Sequence, residues 1–259
     1  MNITPVVKQL LIINILFFIG TFSLGGFSEE SFNPTNPAYR FLALYFFENG
    51  NFYFWQPLTH MFMHGSFMHI AFNMFALYSF GSTLEHFWGG KKFLFFYISC
   101  GLGAFLLHSG VNYYFFQDGI NTLTANGFVK SDILQLLDQG KIDTRWQELM
   151  SVSDFENFTT AYVGTAVGAS GAVYGLLVAF AFMFPNAELA LMFIPVPIKA
   201  KYFVPIWLIL YDGFFGIFGN SFLGVSSGIA HFAHVGGAIT GFLMMWFWKK
   251  NQFNKNRWN

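Results

Sequence analysis

Charge is what this sequence most lacks. Only 10% of its 259 residues are Asp, Glu, Lys or Arg, against about 25% in a soluble globular domain. The 13 basic and 13 acidic residues cancel, so no basic field exists to attract nucleic acid. Cysteine is nearly absent as well. Cys100 stands alone, which excludes an intramolecular disulfide, and its apolar surroundings suit a small packing residue. There is no HExxH run, and no GxSxG elbow, because Ala172 stands two residues after Ser170. His60 and His64 are spaced i,i+4, but no carboxylate or thiol lies nearby in sequence to complete a ligand set with His69. No metal and no cofactor is therefore expected.

What fills the space is hydrocarbon. The chain is 54% hydrophobic with 38 Phe, and its mean hydropathy is +0.47. A bilayer core needs about 20 apolar residues per helix. Six segments qualify: roughly 9–27, 67–86, 93–114, 164–184, 202–220 and 228–248. The expected fold is an all-α membrane protein, a six-transmembrane-helix bundle forming a single domain over 1–259. Leu10 to Phe27 has no small-x-small cleavage site, so a retained first span is expected rather than a removed signal. Between the first two spans, Ser28 to Ser66 is aromatic and irregular, broken by Pro34, Pro37 and Pro57. After the fourth span, Pro185 and Ile194-Pro195-Val196-Pro197 exclude continuous helix.

The only strongly polar stretch is 117–157, between spans three and four. Basic residues set the expected orientation. One side holds Lys8, Lys91, Lys92, Lys199, Lys201, Lys249, Lys250, Lys255 and Arg257, and the other holds Arg40, Lys130, Lys141 and Arg145. By the positive-inside rule, nine against four places both termini in the cytoplasm. The expectation is a multi-pass protein of the plasma (cytoplasmic) membrane, with 117–157 as an extracytoplasmic insert. From Asp118 to Glu156 that insert has seven acidic and three basic residues. Ser131 to Leu137 carries a helix start signal and an apolar face, so a small helical cap is expected there.

Polar residues inside apolar runs are costly without a partner and read as functional candidates. Ser170 lies in Gly168-Ala169-Ser170-Gly171, and His234 in Ala233-His234-Val235-Gly236-Gly237. A hydroxyl and an imidazole are the minimum equipment for nucleophilic catalysis. His69 and Asn73 share one face of the second span, and Tyr174 lies one turn after Ser170. With six spans, the second, fourth and sixth all run inward, so these residues start at similar depth. Gly171 and Gly175 on one span, with Gly237 and Gly241 on another, allow close backbone approach. His108 is expected to be a helix–helix partner, and Asp212, in the fifth span, has no role beyond a structural one.

The run His60-Met61-Phe62-Met63-His64-Gly65-Ser66-Phe67-Met68-His69-Ile70-Ala71-Phe72-Asn73, with Gly168 to Gly171 and Ala233 to Gly241, resembles the motifs of the rhomboid intramembrane serine proteases. These are H-x3-H-x4-H-x3-N, GxSG and AHxxGxxxG, here in the family's order. The resemblance implies a serine endopeptidase whose partners are transmembrane protein substrates in the lipid bilayer. It implies Ser170 as nucleophile, His234 as general base and Tyr174 stacked on the imidazole. It also implies an oxyanion hole from His69, Asn73 and the Ser170 N–H. By the same analogy His60, His64 and Glu85 brace the loop before span two. The family commonly has Trp-Arg before the first histidine, where this chain has Trp55-Gln56; the dyad is untouched. With no sizeable N-terminal domain and no seventh span, the minimal six-helix form is expected.

Two other classes remain to be weighed. A non-catalytic rhomboid-like protein that binds transmembrane helices would have lost the serine or the histidine, and both are present. A transporter would need a polar path to the cytoplasm, yet Leu176 to Phe184 and Phe242 to Trp248 are apolar.

Overall fold

A computed structural model describes residues 2–28, 31–191, 194–208 and 229–252. Helix α1 (Pro5–Leu24) opens on a proline at its first position, where the missing N–H costs nothing. Its other first-turn donors are satisfied from far along the chain. Val6 N–H and Val7 N–H donate to the Glu85 carboxylate at 2.9 and 2.8 Å, and the Thr4 hydroxyl donates to it as well. A buried carboxylate on a helix N-terminus satisfies orphan donors and favours the helix dipole. This corrects the role expected for Glu85: it ties α1 to the end of the second helical run and does not brace the loop before that run.

The segment after α1 is irregular but well bonded. Short helix α2 (Pro37–Leu42) is capped by Asn36, whose Oδ1 accepts from Ala38 N–H at 2.9 Å. Helix α3 (Gln56–Thr59) passes into a 3-10 turn, His60–Phe62. Helix α4 (Phe67–Ala76) starts at Ser66, whose hydroxyl accepts from His69 N–H at 3.1 Å. It continues through a π turn at Leu77–Gly81 into α5 (Ser82–Trp88). Gly89, at φ +76°, ends the run and admits α6 (Gly90–Ala125).

Helix α6 is longer than the expected 93–114. Its 36 residues span about 54 Å, against about 30 Å of bilayer hydrocarbon. The excess forms one wall of a cap completed by α7 (Lys130–Asp138), α8 (Trp146–Leu149) and α9 (Val152–Val163). Phe116, Ile120 and Leu123 of α6 bury against Ile133, Leu137, Trp146, Phe158 and Tyr162. The polar stretch 117–157 therefore has its own apolar core rather than a solvated chain. Ile133 and Leu137 are the buried i,i+4 pair of α7.

Helix α10 (Ser170–Met183) has 14 residues, so the expected span 164–184 begins too early; residues 164–169 are loop. The expectation of an all-α fold is also corrected. Strands β1 (Glu188–Leu191) and β2 (Ile194–Lys199) pair antiparallel. In a two-stranded sheet each strand has a free edge, which accommodates Pro195 and Pro197. Then come α11 (Ala200–Trp207) and α12 (Ile229–Gln252). Most of the expected fifth span, with Asp212, lies outside the described residues. Among the described residues, α1 and α6 are each long and apolar enough to cross a membrane.

Helix α12 is held between α10 and α6 by glycine. A Cβ built on Gly237 would lie 2.6 Å from the Gly171 carbonyl carbon. On Gly241 it would lie 2.8 Å from Gly175 Cα. On Gly236, facing the other way, it would lie 2.7 Å from the Gly103 carbonyl oxygen. All three contacts are backbone to backbone, which only Gly permits.

Candidate active site

Ser170 is the first residue of α10, after Ala169 at φ −73° and ψ −7°. Its N–H therefore belongs to the first turn, where the helix supplies no acceptor. The loop leading to it is held by backbone bonds. Leu44 N–H donates to Ala166 C=O and Ala166 N–H to Leu44 C=O, both at 2.9 Å. Gly168 N–H donates to His60 C=O at 2.9 Å. Gly168 sits at φ +130°, and a Cβ there would lie 2.8 Å from His69 Nε2. Both its conformation and its clearance require glycine.

His234, on α12, presents Nε2 to Ser170 Oγ at 2.9 Å. Its ring stacks on that of Tyr174, with centroids 4.3 Å apart and planes 6° from parallel. Tyr174 lies one turn beyond Ser170, so one helix carries both the hydroxyl and the ring that orients its partner. Gly237 and Gly241 share the His234 face of α12, and their fit against Gly171 and Gly175 brings the two helices to this distance. His231 meets His234 edge-on at 6.2 Å between centroids.

His69 comes up beside Gly168, as Ser170 Oγ does. Its Nδ1 accepts from Gly65 N–H at 3.3 Å, so a neutral ring carries its proton on Nε2. That nitrogen is the one beside Gly168. Asn73 is placed differently from the expectation. It is buried, and its amide Nδ2 donates to the His69 carbonyl of its own helix at 3.0 Å. It does not line the cavity at Ser170.

His60 and His64 lie in the turn before α4 and are buried. His60 Nδ1 donates to Gln56 C=O at 2.9 Å. Burial pushes its pKa from 6.5 down to about 4, and that of His64 down to about 3. Both rings are therefore neutral near pH 7. The His64 ring meets that of His69 edge-on, 5.1 Å apart. Gln56 is fully buried. It accepts from Tyr45 N–H at 3.3 Å and donates to the Asn51 and Arg40 carbonyls at 3.0 and 3.4 Å. The carboxamide thus clamps the first loop without a charge.

Ser170 and His234 open onto a cavity of about 340 Å³. Leu44, Met61, Ala104 and Phe105 supply apolar wall, and His60, His69, His108 and Asn112 supply polar wall. Thr160 and Thr165 also line it, so the cap's last helix and the loop after it border the site directly. His108 and Asn112 were not singled out as site residues in the sequence. Their signal is the i,i+4 spacing on α6, where the Asn112 amide donates to His108 Nε2 at 3.3 Å. His108, expected to be a helix–helix partner, pairs with Asn112 on its own helix and also lines the cavity.

The sequence profile of the Rhomboid domain matches residues 51–124 and 149–251, more than half of the chain. Rhomboid protein 1, mitochondrial, of Saccharomyces cerevisiae is 25% identical over 196 residues, covering 73% of this chain and 40% of the yeast protein. Rhomboid protease AarA of Providencia stuartii is 28% identical over 200 residues, covering 73% of this chain and 54% of its own length. The matches thus span about two fifths and about half of these relatives.

Proposed function

The chain belongs to the rhomboid family, and we propose that it is an intramembrane serine endopeptidase that cuts transmembrane segments of other proteins near their outer ends. The observation that carries this reading is the 2.9 Å contact between His234 Nε2 and Ser170 Oγ at the edge of a cavity. Ser170 Oγ attacks the peptide carbonyl carbon while His234 Nε2 takes its proton. Oxyanion charge falls between the Ser170 N–H, at a helix N-terminus, and the Nε2–H of His69. His234 then returns the proton to the leaving amine, and water releases the acyl group by the reverse sequence. Tyr174 holds the imidazole by stacking, in place of a third acidic residue. Asn73 supports this site by holding the His69 carbonyl of its own helix.

In this reading the fold is one six-span domain over 1–259. Both termini are cytoplasmic, in the plasma (cytoplasmic) membrane, and 117–157 caps the outer face. The 14 residues of α10 reach about 21 Å, short of a bilayer core of about 30 Å, so Ser170 is recessed below the outer surface. Non-helical backbone at that depth is tolerated because protein surrounds and satisfies it, as the Leu44–Ala166 and Gly168–His60 bonds do. A substrate helix must unwind to present a peptide bond, which helix-weakening residues such as Gly make easier.

The test is reaction of the purified protein with a serine-directed fluorophosphonate, alongside cleavage of a reconstituted transmembrane substrate. Wild type is expected to be labelled and active, and Ser170→Ala and His234→Ala neither. Cleavage retained by folded Ser170→Ala refutes the mechanism.

A further inference from the structure

The cap is closed around the first loop. Phe46 belongs to that loop, yet it is buried in the cap's apolar core, its ring centroid 5.0 Å from that of Phe116 and 6.1 Å from that of Tyr162. Polar groups hold the residues that follow it. Glu48 takes the Lys130 ammonium at 3.2 Å and the Gln117 amide at 3.3 Å. Asn49 Nδ2 donates to the Tyr162 carbonyl at 3.0 Å. Tyr162 then turns its hydroxyl into the cap, donating to Asp138 Oδ1 at 2.7 Å. The Lys130–Glu48 pair is partly exposed and contributes little. The Tyr162 bond is short and ends on a carboxylate, and its ring is fully packed, so it carries more.

Two segments leave this clasp and reach the cavity. Leu44 lies two residues before Phe46, and Thr160 and Thr165 flank Tyr162; all three are cavity wall. Leu44 and Ala166 bond each other's backbone twice, so the two segments make one wall. The dyad is set by other contacts. Ser170 and His234 meet through the fit of Gly171 and Gly175 against Gly237 and Gly241, in which the cap has no part. A shift of the clasped wall therefore alters the room beside the dyad without altering the dyad.

We propose that Tyr162 is a positioning residue: by tying Asp138 of the cap to Asn49 of the first loop, it holds Leu44, Thr160 and Thr165 where a transmembrane substrate must seat. This rests on the protease reading above. Such a wall meets the substrate alike before and during bond breaking, so its displacement raises KM and leaves kcat unchanged. A small fluorophosphonate reaches Ser170 without its help.

The experiment uses the full chain in liposomes with a reconstituted transmembrane substrate. Tyr162→Phe keeps the ring and removes the hydroxyl; KM is expected to rise about 3- to 30-fold, with kcat and the fluorophosphonate labelling rate within about twofold of wild type. Asp138→Ala is expected to match it, and the double variant to be no worse than either single. Asp138→Asn keeps an acceptor for the hydroxyl and is expected to restore the wild-type KM. An unchanged KM in Tyr162→Phe overturns the proposal, as does an Asp138→Asn as impaired as Asp138→Ala. Joint loss of KM, kcat, labelling and thermal stability also overturns it, because that is the signature of a general structural role. Should Tyr162→Phe not fold, Asp138→Ala decides, since the Asp138 side chain is exposed. Wild-type protein that neither labels nor cleaves refutes the protease reading, whereas labelling and cleavage with an unchanged KM in the variants refute the clasp alone.

Discussion

Gly237→Ala tests whether the helix contact sets the catalytic distance. A Cβ at Gly237 would sit 2.6 Å from the Gly171 carbonyl carbon and closer still to its oxygen. Ordinary carbon–carbon contact needs about 3.5–4.0 Å, so α10 and α12 must part by roughly 1 Å. The obstacle is backbone, which has no rotamer to yield. His234 lies one turn away on the same face, and its Nε2 is 2.9 Å from Ser170 Oγ. Parting by that amount carries the pair to about 4 Å, beyond hydrogen-bond reach. A misplacement of about 1 Å costs on the order of 100-fold in rate, or about 2.7 kcal/mol of activation free energy. Overpacking also costs about 1–3 kcal/mol of stability. Cleavage and fluorophosphonate labelling rates are to be measured beside thermal unfolding. Gly241→Ala, two turns from His234, is the comparison and is expected to lose less activity. A folded Gly237→Ala that cleaves within about threefold of wild type refutes the reasoning.

Three further outcomes are expected. Glu85→Ala removes the acceptor for Val6 N–H, Val7 N–H and the Thr4 hydroxyl; unfolding in mixed micelles should show a loss of about 1–3 kcal/mol with Ser170 labelling retained. Burial depresses His60 to about 4 and His64 to about 3 from 6.5. Between about pH 6.5 and 4 the unfolded chain then binds more protons, so stability should fall as pH falls through that window; a thermal midpoint flat across it contradicts the burial argument. Trp146→Ala empties the fully buried centre of the cap, and hydrogen exchange at residues 126–151 should rise while the dyad still reacts with fluorophosphonate.

The helices were largely legible because their signals are local. Apolar length marked α1, α6 and α12, and Ile133 with Leu137 marked the face of α7. Boundaries were less legible. The run of apolar residues continues through 164–169, so hydropathy alone put the fourth helix too early. What stops it is Gly168 at φ +130° and the pairing of Ala166 with Leu44, a partner more than 100 residues away. Glu85 shows the same limit. Its position at the end of one helical run gives no sign that it caps the start of α1.

Within the candidate site, residue type and spacing were enough to nominate Ser170, His234, Tyr174 and His69, and the glycines that let their helices meet. Those are properties of chemistry and of one helix face, which a sequence carries directly. Only the tertiary structure decided that Asn73 turns back to the His69 carbonyl, that Gln56 clamps the first loop, and that His108 and Asn112 line the cavity. Each depends on which surfaces face one another after packing. Side chains on a single helix face are ordered by the period of the helix, but the distances between helices are set by every contact that holds them, down to the missing Cβ of Gly237.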